Sequence, residues 1–245
     1  MIDIQILTIF PYIFDSFLAY GNPARAIQMG LARIQAIDLR QFADDARRTT
    51  DDYPYGGGTG MIMKPEPIVR GIRYVQNSTK EAHVILLTPQ GRQLSQEIVE
   101  ELSSKNSLLL ICGRYEGIDE RVRYFVSDEI SVGDYVLSGG ETAATVLMDA
   151  IIRLIPGVLG SDSRIGGESF YDGLLEYPQY TRPREFEGFE VPNVLLEGHH
   201  EKIRLWRRKM SLMRTMEHRP DLVASIKADA EMKRIIEEIE LESTA

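Results

Sequence analysis

The chain has 245 residues, 43% of them apolar, and a formal charge of -9. This suits a large globular domain with a small one and gives nucleic acid no average attraction, so only a local basic face could steer a polyanion. A single cysteine, Cys112, excludes an internal disulfide framework and fits a reducing cytoplasm, and no run of eighteen apolar residues is present to span a membrane.

In chain order, "IDIQILTIF" alternates as a strand does. "PYIFDSFLAYG" follows as a helix with Pro11 at its start and Gly21 past its end. The apolar N-terminus has no basic stretch and carries Asp3 and Asp15, so it is expected to be structure and not a signal peptide. "IQAIDLRQF" reads as a second strand. "HVILLTP" (83–89) and "SLLLICG" (107–113) are apolar runs ended by turn residues, as in strands buried on both faces. "LSQEIVEELSS" between them has helical spacing. "DEISVGDYV" reads as a shorter strand, and "ETAATVLMDAIIRLIPG" as a long helix stopped by Pro156 and Gly157. This alternation predicts an α/β domain with a parallel sheet over 1–157. Residues 158–173, rich in Gly, Ser and Asp, are expected to be a flexible linker. Beyond residue 183 the chain reads as helical, so a small α-helical domain is expected over 174–245.

Three of the expected strands end in "LLTPQGRQ", "ICGRYEGIDERV" and "SVGDYVLSGGET". Their glycines form either tight turns or a backbone surface for a flat ligand. Ligands of parallel sheets bind beyond the carboxyl ends of the strands, and three such loops in succession favour the ligand. No dinucleotide fingerprint is present. "YGGGTGMIMKP" resembles a phosphate loop only superficially, because Lys64 stands four residues after Gly60 with no Ser or Thr behind it. The histidines have no zinc spacing, so no metal site is expected.

Residues 199–219 hold Lys202, Arg204, Arg207, Arg208, Lys209, Arg214 and Arg219 against Glu201 and Glu217. Such a run is either a solvated helix face or a nucleic-acid footprint, and in an acidic chain the second is favoured.

"PYGGGTGMIMKPEP", "GRYEGIDERV", "GDYVLSGGE" and "GLLEYPQYTRP" together resemble the bacterial tRNA (guanosine-37-N1)-methyltransferases of the trefoil-knotted (SPOUT) methyltransferase superfamily. The resemblance runs from residue 1 to beyond 210. It implies a deep knot, which pattern alone does not give. It implies an S-adenosylmethionine pocket at Leu86, Leu87, Thr88, Pro89, Gly113, Tyr115, Glu116, Gly117, Val132, Gly133, Asp134, Tyr135, Val136, Leu137, Gly139 and Gly140. It also implies a catalytic pair, Arg153 before "IPG" and Glu168 before "SF", flanking the target guanine. The family acid is usually aspartate, which leaves Asp172 as a second candidate. The resemblance implies the tRNA anticodon stem-loop as partner, which the basic run is expected to contact through Lys202, Arg204, Arg207 and Arg208. A cytoplasmic homodimer and a magnesium dependence come from the resemblance only. Two rivals stay open, an RNA-binding module without chemistry and a ribose 2′-O-methyltransferase.

Overall fold

A computed structural model of the chain describes residues 1–160, 167–226 and 229–243. It divides into two compact units, Met1–Asp162 and Ser163–Ala245. The first holds β1 (Ile2–Thr8), α1 (Asp15–Ala19), α2 (Gly21–Gln28), β2 (Ala32–Asp38), β3 (Asp51–Asp52), β4 (Ile62–Met63), α3 (Pro65–Ser78), β5 (His83–Gln93), α4 (Gln96–Ser103), β6 (Ser107–Cys112), β7 (Asp128–Ser131) and α5 (Gly140–Ile152). β2, β1, β6, β5 and β7 lie in that order in one sheet, and every pairing is parallel.

Alternate residues of the apolar strands face opposite cores. Leu108, Leu110 and Cys112 of β6, with Ile85 and Leu87 of β5, pack with Ala26 of α2, Val99 and Leu102 of α4, and the inner face of α5. Leu109, Ile111, Val84 and Leu86 point the other way, onto Ile68, Ile72 and Val75 of α3. Both faces are therefore covered, which is why these strands read as unbroken apolar runs.

β5 has an interruption that shapes the cleft. Leu87 pairs with Ile130, and the ladder resumes with Arg92 opposite the same residue, so residues 88–91 loop out. Gly91 lies against β7 so closely that a Cβ would come within 2.4 Å of the Glu129 and Ile130 backbone. Only a glycine fits that approach.

Several local expectations are corrected. "PYIFDSFLAYG" is not one helix. It is a 3-10 turn over Pro11–Phe14 and then α1, and Gly21, at φ +66°, opens α2 instead of ending a helix. The second strand stops at Asp38, whose carboxylate accepts from the Arg40 N–H at 3.0 Å and turns the chain into a 3-10 helix, Leu39–Phe42. β7 stops at Ser131, whose hydroxyl donates to the Gly133 carbonyl at 3.1 Å and closes a turn. Helices α2 and α3 have no counterpart in the sequence reading.

In the second unit β8 (Glu185–Phe186) and β9 (Phe189–Glu190) form an antiparallel hairpin. Residues 183–199, expected to be helical, thus hold this hairpin and one short 3-10 turn, Asn193–Leu195, before α6 begins. α6 (His200–His218), α7 (Pro220–Ser225) and α8 (Ala230–Ser243) follow. Leu174, Leu212, Met232, Ile235 and Ile239 form the core of this unit. Of the expected linker, residues 161–166 lie outside the described residues. Residues 167–173 are not a free tether: Phe170 N–H donates to Leu174 O at 2.7 Å, and Leu175 N–H donates to Thr215 Oγ1 on α6 at 2.9 Å. No helix among the described residues is long and apolar enough to cross a membrane.

Candidate active site

The cleft lies at the carboxyl ends of β5, β6 and β7, where the loops 88–91, 113–120 and 132–139 converge. They are joined backbone to backbone. Gly140 N–H donates to Gly113 O at 2.8 Å, and Arg114 bridges Gly139 in antiparallel fashion. A Cβ on Gly140 would stand 2.7 Å from Cys112 Cα and 3.0 Å from Gly113 N. The glycine is what lets α5 begin against the end of β6.

The "YGGGTGMIMKP" stretch braces the middle loop from outside. Glu116 N–H donates to Met61 O at 3.0 Å, Met63 N–H to Gly117 O at 2.9 Å, and Asp119 N–H to Met63 O at 3.0 Å. Lys64 sits at the start of α3, and its own N–H donates to Thr50 O at 2.8 Å.

The loops enclose a cavity of about 500 Å³, in the range of small-molecule sites, roughly 300–1,000 Å³. Leu86, Leu87, Thr88, Pro89, Gly113, Tyr115, Glu116, Gly117, Val132, Gly133, Tyr135, Val136, Leu137, Gly139 and Gly140 all line it. Asp134 is exposed and is not part of the lining. Tyr115 adopts a left-handed φ of +61°. Burial raises its phenol pKa, and the neighbouring Asp51 carboxylate adds to the rise.

A buried polar knot of side chains holds the floor. Glu141 is 1% exposed, yet it carries a carboxylate. That carboxylate accepts from Thr8 Oγ1 at 2.7 Å and from Arg114 Nε at 2.9 Å. Arg114 also donates to Ser138 O at 3.1 Å, and its guanidinium lies 4.7 Å from the Phe10 ring. One ion pair thus ties β1, the loop after β6 and the first turn of α5. Burial, and after it the Glu141 charge, pushes the Cys112 thiol well up, so the thiol stays protonated. Sequence reasoning missed Arg114 and Glu141. The available signal was a carboxylate opening an otherwise apolar buried helix, which needs a cation beside it.

The expected catalytic residues fall in separate units. Arg153, half-buried, caps the carboxyl end of α5, with its N–H on Asp149 O at 3.2 Å. Glu168, also half-buried, opens the turn whose Tyr171 N–H donates to Glu168 O at 3.3 Å. Asp172 is exposed in the same turn.

The basic helix differs from the expected free positive surface. Arg204 pairs with Glu201 at 2.8 Å and with Glu231 of α8 at 2.5 Å. Arg208 pairs with Asp229 and Glu231, both at 2.5 Å, and Lys202 with Glu197 at 3.4 Å. Arg207 instead lies 4.8 Å from the Tyr177 ring and has no carboxylate partner among the described residues. Spacing in the sequence showed the cations of α6 but not the acids that α8 places against them.

Among the described residues no three His, Cys, Asp or Glu side chains come together as a metal ion would need. S-adenosylmethionine fits the cleft. The absence of side chains at Gly113, Gly117 and Gly139 leaves room for a flat base edge to approach the backbone, and Glu116, Asp119 and Glu120 line the same cavity together with Arg114 and Arg123.

A parallel sheet covered on both faces, with a backbone-lined cleft beyond its carboxyl ends, defines an α/β protein built to hold a small molecule. Comparison with known proteins narrows the class. The family model for tRNA (Guanine-1)-methyltransferase TrmD matches residues 2–225. The chain is 52% identical over 242 residues to the tRNA (guanine-N(1)-)-methyltransferase of Dictyoglomus turgidum, covering 99% of this chain and 98% of that one. It is 56% identical over 219 residues to the enzyme of the same name from Thermosipho africanus, covering 89% of each. Among solved structures, tRNA (m1G37) methyltransferase from Aquifex aeolicus superposes with a TM-score of 0.74 at 43% identity, covering 91% of this chain and 95% of that one. The chain belongs to the tRNA (guanine-1)-methyltransferase TrmD family, a family of methyltransferases.

Proposed function

We infer that this chain transfers a methyl group from S-adenosylmethionine to N1 of the guanosine at position 37 of tRNA, next to the anticodon. Family membership supports the reaction. The observation that carries the placement is the cavity built by the three glycine-bearing loops.

When bound, the cofactor supplies a methyl group made electrophilic by its sulfonium. Everything else falls to the protein. Guanine N1 carries a proton and is a poor nucleophile, so a base must remove that proton. Glu168 takes it, and a positioned general base contributes about 10²–10⁴-fold. The charge that spreads onto O6 is held by the Arg153 guanidinium, a fixed electrostatic partner. An anticodon loop presents its bases for extrusion more readily than a duplex does. Asp172 is the alternative base, because the usual family acid is aspartate.

The looped-out 88–91 segment and the interlocked 113–140 region are read as the family's trefoil knot. The first 157 residues form the cofactor domain, and 174–245 the tRNA-binding domain, joined through 158–173. Within the basic helix, Arg207 is the cation of the four that needs no change of partner to meet a phosphate. Lys202, Arg204 and Arg208 would first have to leave their carboxylates. The working form is a cytoplasmic homodimer.

The test is transfer of labelled methyl to a tRNA transcript, with position 37 changed from G to A as control. Label is expected in 1-methylguanosine after digestion to nucleosides, and only with G37. A 2′-O-methylated product would replace this reading with the ribose one. Binding of tRNA with neither S-adenosylmethionine binding in calorimetry nor transfer would leave an RNA-binding module.

A further inference from the structure

The second unit contains a cavity of its own, about 510 Å³, between the Tyr177–Arg184 segment, the turn after the β8–β9 hairpin, and one face of α6. Its walls carry three aromatic rings, Tyr177, Tyr180 and Trp206, and three cations, Arg182, Arg184 and Arg207. Leu195 and Ile203 supply apolar lining. Among the described residues no Asp or Glu lines it, in a chain of net charge -9.

The two faces of α6 explain this separation. Arg204 and Arg208, one turn apart, meet the acids before and within α8. Trp206 and Arg207 lie three and four residues after Ile203, and residues so spaced are neighbours on a helix surface. Arg184 has only a neutral partner, donating to Asn193 Oδ1 at 3.3 Å. None of Arg182, Arg184 and Arg207 is in an ion pair with a carboxylate among the described residues. Tyr180 and Trp206 have ring centroids 6.4 Å apart at 51°, and Tyr180 is 48% exposed. Rings left accessible beside unneutralised guanidinium groups suit one chemistry: a flat π-face joined to an anion.

We propose that this cavity takes an unstacked nucleotide of the bound tRNA, with the base against Tyr180 and Trp206 and its phosphate among Arg182, Arg184 and Arg207. The assignment rests on the tRNA reading above. Stacking on aromatics accepts any base, so the pocket contributes affinity and register and no sequence choice. It also accounts for a positive tRNA-facing surface where the charge run on α6 is largely neutralised.

Trp206 is the only tryptophan of the chain, so its emission reports on this pocket. Titration of the full-length protein with a tRNA transcript is expected to quench it saturably, with a midpoint that matches the Kd from filter binding. Tyr180→Ala removes a half-exposed ring outside the core and is expected to raise the tRNA Kd roughly five- to a hundred-fold. S-adenosylmethionine affinity, which this pocket does not serve, should stay within about twofold of wild type. Arg182→Gln should lower the slope of log affinity against log salt by about 0.7. A protein that methylates tRNA while Trp206 emission stays constant overturns the pocket alone. So does a folded Tyr180→Ala and Arg182→Gln pair with unchanged tRNA affinity, or quenching by a polyglutamate peptide as deep as by tRNA. A wild-type protein that binds no tRNA overturns both readings.

Discussion

Replacing Glu141 by alanine removes the charge on which three parts of the cleft meet. The carboxylate is 1% exposed and holds Thr8 at 2.7 Å and Arg114 at 2.9 Å. The variant leaves the Arg114 guanidinium, on a side chain 21% exposed, without its carboxylate. Breaking a fully buried pair costs about 3–5 kcal/mol. Water reaches Arg114, so the cost here is lower, roughly 2–4 kcal/mol. In a protein of this size 1 kcal/mol moves the melting midpoint by roughly 2–4 °C. A loss near 3 kcal/mol therefore lowers Tm by roughly 6–12 °C. Arg114 also carries the Ser138 carbonyl, so the loop before α5 loosens and S-adenosylmethionine affinity falls at least tenfold. The double variant Glu141→Leu with Arg114→Met leaves no unpaired charge and should recover part of the loss, with a coupling of at least roughly 1 kcal/mol. Thermal melts by circular dichroism and calorimetric titration of the cofactor read both effects. Glu141→Ala melting within about 1 °C of wild type, with unaltered cofactor affinity, would refute the reasoning.

Gly140→Val, which would otherwise serve as a clean block on the cofactor, is expected to lower Tm as well as cofactor affinity. Its side chain meets the Cys112 and Gly113 backbone, which cannot yield, and calorimetry with melts shows whether the two losses come together. The Glu231 carboxyl, ordinarily at 4.5, is held at about 2 by hydrogen bonds from Arg204 first and then Arg208. A folded value below the unfolded one stabilises at higher pH. The α6–α8 contact should therefore weaken as pH falls from about 4.5 towards 2, and helical ellipticity in Glu231→Gln should be less sensitive over that window. Glu168→Gln should slow single-turnover methylation about 10²-fold or more at unchanged cofactor affinity, and Asp172→Asn should be mild; the reverse pattern would move the base to Asp172. Arg153→Lys keeps the charge but loses the planar fork, so a slow rate is expected in the same assay.

Some of this structure lies in local pattern. β1 was legible from its alternation, and the apolar runs of β5 and β6 because strands covered on both faces need no polar alternation. The loops around the cleft were legible because glycines gather where backbone must approach backbone, as at Gly91 and Gly140. Other elements hid behind their own punctuation. α3 contains Pro65, Pro67 and Gly71, which read as breakers although Pro65 stands in the first helical turn, where a missing N–H costs nothing. α2 opens on "GNP", which reads as a turn. Strand order is not local at all: β6 enters between β1 and β5 only because burial on both faces is best met there. The Glu141–Arg114 pair joins residues 27 apart, and the Arg204–Glu231 pair joins residues another 27 apart. Periodicity and turn chemistry act over a few residues and are written in the chain. Which charges meet, and so whether a basic helix is a free surface or a neutralised one, depends on distances that only the packed chain sets, because the interaction falls with separation in space and not along the sequence.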